Sequence, residues 1–121
     1  MKIIHLETAE VEQVELKAIE DLSFMQVIDG DDPQHGGLSN FISADDNFQV
    51  GMSTYTKVSL KLTDWPTSEF MYFLEGQVEI TDEGGESTVY GRVSSPASLW
   101  FYVARLQARH SYDDWLSLEV H

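Results

Sequence analysis

The side chain best placed to do chemistry in this sequence is Glu69, which opens the apolar run Phe70-Met71-Tyr72-Phe73-Leu74. In an extended strand successive side chains alternate, so Glu69, Met71 and Phe73 share one face and Phe70, Tyr72 and Leu74 the other. If Glu69 faces a covered interior, loss of water raises its pKa toward the range where a carboxyl both gives and takes protons. At an exposed strand start the same residue is a solvated, idle charge, and the spacing fits both placements. Asp29, Asp31 and Asp32 put three acids within four residues. Their spacing is not that of an Asp-x-Asp-x-Asp-Gly calcium loop, so a solvated turn is expected there. The chain has no cysteine, which removes disulfides, thiolate zinc sites and a cysteine nucleophile together. Its histidines, His5, His35, His110 and His121, are scattered in loops or near the ends. No glycine-rich phosphate loop, nucleophile elbow or dinucleotide fingerprint is present.

The elements that must position these groups fit one domain, because 121 residues with 42 % apolar content are enough for a single core. The 21 acidic residues against 7 basic ones leave a net charge of −14. Such a surface repels phosphate backbones and anionic head groups, so neither nucleic acid nor a membrane surface is expected as a partner. A bound small molecule is expected to be neutral or cationic. Apolar runs are short, five residues at Phe70–Leu74, against the roughly 20 of a membrane span. No secretory h-region follows the N-terminus, so a cytoplasmic location is expected.

Val11, Val14, Ala18, Ile19 and Leu22 recur with a helical period, and Thr8 is a fitting N-cap. This predicts a short N-terminal helix over Thr8–Leu22 with a solvated acidic face. Asp29–Gly37 reads as a loop. Beyond it, Phe48–Thr56, Val58–Thr63, Glu69–Leu74 and Gln77–Thr81 are rich in β-branched and aromatic residues, with turns at Glu75-Gly76 and Asp82–Glu86. The expectation is an all-β antiparallel sandwich or barrel: a helical arm over 1–29 and the barrel over 30–121.

The stretch from Thr63 to Gly84 contains Trp65, then Glu69, then Tyr72-Phe73-Leu74-Glu75-Gly76, then a strand running into an Asp/Gly turn. This pattern resembles the first sequence motif of the cupins. More narrowly it is similar to the small single-domain cupins grouped with (S)-ureidoglycine aminohydrolase, as are Asp32-Pro33-Gln34 and Asp45–Gly51. The match covers about residues 30–91. The resemblance implies a double-stranded β-helix, a jelly-roll barrel whose interior holds one small ligand. It implies Glu69 as the proton-transfer residue, with Trp65, Met71, Tyr72 and Phe73 as pocket or wall. For Tyr72, packing against the other sheet competes with that role. Small cupins commonly pair through their strands, so the resemblance also implies a homodimer.

Two departures qualify it. Metal-dependent cupins place His-x-His just before this Glu, whereas Leu62, Thr63, Asp64 and Trp65 stand here; the absence of imidazole argues against a transition-metal cofactor. After Tyr90-Gly91 the family pattern stops. Residues 1–91 carry 18 acids against 4 lysines, a charge of −14, and residues 92–121 carry 3 acids against 3 arginines, a charge of zero. Two origins account for this break. One is a tail read in a shifted frame; the other is a divergent but genuine end in which Leu99–Leu106 and Trp115–Val120 are strands. Three functions fit the whole: an enzyme of ureidoglycine aminohydrolase-type chemistry acting on a small polar metabolite, a non-catalytic binding or sensing barrel, and a structural dimerisation module.

Overall fold

The computed structural model describes residues 14–91, 98–106 and 115–121. Among these residues ten strands form two antiparallel sheets: β1 (Lys17–Ala18), β2 (Met25–Asp29), β3 (Gln34–Ile42), β4 (Phe48–Tyr55), β5 (Val58–Thr63), β6 (Thr67–Glu75), β7 (Gln77–Asp82), β8 (Ser87–Gly91), β9 (Ser98–Leu106) and β10 (Trp115–Val120). The first sheet has the order β1-β3-β4-β9-β6 and the second β2-β5-β10-β7-β8. The architecture is thus the two-sheet, all-β arrangement expected. No helix among the described residues is long and apolar enough to cross a membrane.

The expected N-terminal helix is not seen. Residues 1–13 lie outside the described part, and the rest of the predicted span is extended, with Lys17 and Ala18 paired to His35 and Gln34. Leu16 and Val14 lie against Gly36 of β3, and the Ile19 amide donates to the Pro33 carbonyl at 3.1 Å. A helix this short is marginal alone, and these tertiary partners of the strand outweigh its periodicity. The predicted loop also ends early. Only Gly30–Pro33 turns, and Gln34-His35-Gly36-Gly37 belongs to β3, where residues 35–37 pair with Tyr55, Thr54 and Ser53.

The second sheet alternates cleanly. Val58, Leu60, Val78, Leu118 and Val120 point inward and are buried, while Lys61, Ser117, Thr81, Glu79 and Glu119 lie on the other face. Trp100, also buried, anchors the first sheet to this core. At the β7–β8 turn Asp82 Oδ1 accepts from the Gly84 and Glu86 amides at 2.9 and 3.0 Å, and Gly85 takes φ 83°. Both segments of the atypical tail are strands, and both are interior. β9 lies between β4 and β6, and β10 between β5 and β7.

Candidate functional site

Pairing register decides what faces the space between the sheets. On the first sheet Gln49, Ala104 and Glu69 form one cross-strand row, Gly51, Tyr102 and Met71 the next, and Ser53, Trp100 and Phe73 the third. Small residues open this surface. Ala104 separates Gln49 from Glu69, and Gly51 makes room for Tyr102, whose hydroxyl would lie 2.8 Å from a Cβ at that glycine. Between these rows and the aliphatic face of the second sheet is a cavity of about 520 Å³, a size that suits a small organic molecule.

Glu69 points into this cavity. The β5–β6 turn brings a partner to it: Asp64 takes a left-handed conformation (φ 52°), and Trp65 then comes back so that its Nε1 donates to Glu69 Oε2 at 2.7 Å. Phe24 packs edge-on against Trp65 with ring centroids 5.2 Å apart. Glu69 keeps access to solvent, yet the walls around its carboxyl strip enough water to raise its pKa, and the Trp65 hydrogen bond opposes that rise by favouring the ionised form. Deeper in, Tyr55 stacks flat on Trp100 (4.9 Å between centroids, 0° between planes). Burial, then the negative charge of Glu69, then Tyr102, push the Tyr55 hydroxyl up to about 12, so it stays protonated at neutral pH. Gln49 donates its amide hydrogens to Ser39 and, at 2.8 Å, to the Tyr102 hydroxyl. The arrangement offers one perturbed carboxyl, held by an indole and set beside tyrosine hydroxyls in an aromatic enclosure, which is the equipment for proton exchange with a bound molecule.

The residues expected at the site divide. Glu69, Trp65 and Met71 line the cavity. Phe73 lies on the same inward face but packs on the core at Trp100, 5.5 Å between centroids, and stacks on the exposed Tyr90 of β8 at 5.6 Å. Tyr72 is neither in the pocket nor packed on the second sheet. It is 61 % exposed on the outer face, beside Phe70 at 62 %, because β6 is covered on one side only. Tyr55, Tyr102, Gln49, Asp64 and Phe24 join the site without having been singled out in the sequence. Period-2 alternation within Phe48–Thr56 and Leu99–Val103 sorts Gln49 and Tyr55, or Trp100 and Tyr102, onto common faces, but not onto the inner one.

Outside the cavity, Glu79, Glu119 and His121 bring ligand atoms within 4.8 Å of one another on the outer face of the second sheet. Glu79 and Glu119 are directly opposed in register, and His121 Nδ1 is 3.9 Å from Glu119. No protein family matches the chain, and no curated protein is similar to it.

Proposed function

We propose that the protein binds a small polar metabolite between its sheets and that Glu69 is the group placed to exchange a proton with it. The observation that carries this reading is the Glu69 carboxyl itself, held by Trp65 at the edge of a 520 Å³ cavity and raised in pKa by burial. A relation to the cupins, and to ureidoglycine aminohydrolase-type chemistry, rests on the Trp65…Glu69…Glu75-Gly76 motif. The passage of the chain back and forth between the sheets from β4 to β7 supports it. Among the described residues the lining holds no histidine, and the reading is of proton transfer by side chains.

The test fills the cavity. Ala104 is 5 % exposed and sits between Gln49 and Glu69, so Ala104→Leu occupies the ligand's space. Compounds from a metabolite screen should perturb the NMR signals of Tyr55, Trp65 and Tyr102 in the wild type and not in the variant. Compounds that perturb only other surfaces, or none that bind at all, would refute the reading. For an uncharged ligand, loss of turnover with retained binding in Glu69→Gln separates an enzyme from a non-catalytic binder.

A structural pairing role is the second reading, favoured by the outer face of the first sheet. Two apolar rows cross it, Phe41-Val50-Val103-Phe70 and Leu38-Met52-Phe101-Tyr72, in which Phe41, Phe70 and Tyr72 are exposed while Met52 is buried with Leu99 in a second core cluster. The paired charges that would deter self-association of so acidic a chain are absent from these rows. A homodimer through this face predicts twice 13.7 kDa by light scattering and a monomer for Tyr72→Glu; a wild-type monomer removes the idea.

A further inference from the structure

We propose that the cavity is built for an organic cation bearing N–H donors, a protonated amine on an apolar body, with Glu69 as its counter-ion. The inference rests on the reading that the space between the sheets holds a small ligand, and it adds the ligand's charge class.

Three independent features converge on that class. The first is charge. Among the described residues, the ionisable acids and bases lining the cavity are Asp64 and Glu69, apart from the tyrosine hydroxyls, and both are acidic. The ion pair found among the described residues joins His121 to Glu119 on the far face of the second sheet, and among those residues neither cavity acid is paired with a cation. A net charge of −14 further concentrates cations at the surface.

The second is the hydrogen-bond inventory. Trp65 Nε1–H is committed to Glu69, and both hydrogens of the Gln49 amide go to Ser39 and Tyr102. The Trp65 and Gln49 N–H donors are thereby spent inside the protein. Among the described lining residues, what remains toward a ligand is the Trp100 indole N–H, the Gln49 carbonyl oxygen, the two carboxylates, and hydroxyls that accept as readily as they donate. The two carboxylates repel an anion and accept only, whereas an ammonium or guanidinium supplies them with protons.

The third is the distribution of polarity along the cavity. Asp64 and Glu69 are exposed, while Leu60 and Leu118 are buried. The charged end is therefore the solvent end, and the aliphatic end lies deep. Phe24, Trp65, Tyr55 and Tyr102 supply aromatic surface between them, which attracts cations as well as burying apolar area. A ligand matching this gradient has a cationic head at Glu69 and an apolar body directed inward. The resulting pair would also favour the ionised form of a carboxyl that burial otherwise disfavours.

The experiment compares three probes of similar shape on the full chain, 2-phenylethylamine, 3-phenyl-1-propanol and 3-phenylpropionate, by calorimetry and by NMR of the cavity residues. The amine should perturb Tyr55, Trp65 and Tyr102 and bind about tenfold tighter than the alcohol, as expected of a charge-assisted hydrogen bond. The propionate should not bind. Glu69→Gln should weaken the amine about tenfold and leave the alcohol unchanged. Alcohol or propionate binding in the cavity as tightly as the amine, or amine binding indifferent to Glu69→Gln, overturns the charge class and leaves the ligand-binding reading standing. If none of the three perturbs the cavity residues, both fall.

Discussion

Replacing Trp100 by alanine tests the least expected feature of the structure, the use of the atypical tail as interior strand. Trp100 lies on β9 and is 5 % exposed. It stacks on Tyr55 at 4.9 Å, packs on Phe73 at 5.5 Å and belongs to the main core cluster. A buried tryptophan removes about 150–250 Å² from water, roughly 4–6 kcal/mol at 25 cal/mol per Å². Alanine retains a little of this and the walls relax, so a loss of about 4 kcal/mol is expected, within the usual range of about 3–5 for such deletions. Against a total stability of about 5–15 kcal/mol, that lowers Tm by roughly 12–20 °C. Arg105 is the internal control, being exposed on the outer face of the same strand; Arg105→Ala should stay within about 0.5 kcal/mol. Urea unfolding followed by far-ultraviolet circular dichroism reads both. A Trp100→Ala cost below about 1 kcal/mol, or one equal to that of Arg105→Ala, would mean that β9 is not the strand between β4 and β6.

Because burial raises the Glu69 carboxyl in the folded state, the native protein holds that proton more tightly than the unfolded chain. Glu69 therefore makes stability fall as pH rises from the ordinary carboxylate value of 4.5 through the raised folded value. Denaturation across this range should show Glu69→Gln gaining on the wild type with increasing pH; a constant or opposite difference refutes the shift. Trp65→Phe deletes the N–H that favours the ionised form, so an NMR titration should place the Glu69 carboxyl higher than in the wild type, and no movement would mean that the 2.7 Å bond does not persist in solution. Gly51→Ala drives a Cβ into the Tyr102 hydroxyl and the Leu38 carbonyl; a cost of about 1–3 kcal/mol and displaced Tyr102 signals are expected, and an unchanged Tm would show that Tyr102 does not lie over that glycine.

The local β geometry of this protein is legible along its chain. Val58–Thr63 and Trp115–Val120 are strands at those bounds, and the Asp82–Glu86 turn forms as its glycines and aspartate require. Alternation also put Glu69 and Met71 on one face. These are nearest-neighbour properties, set by β-branching, pleat and turn chemistry. Tertiary structure alone decided which face is inside, because alternation has two solutions and only the opposing sheet selects one. It put Tyr72 and Phe70 outside despite their apolar character. It drew Lys17–Ala18 into the edge of a sheet despite a helical period, and gathered Gln49, Tyr55, Trp65, Glu69 and Tyr102 from three strands and a turn into one enclosure. Cavity and perturbed carboxyl alike arise from contacts between residues far apart along the chain, 53 positions in the Gln49–Tyr102 bond. Spacing along the chain carries no record of such contacts, because they depend on strand order and register across two sheets.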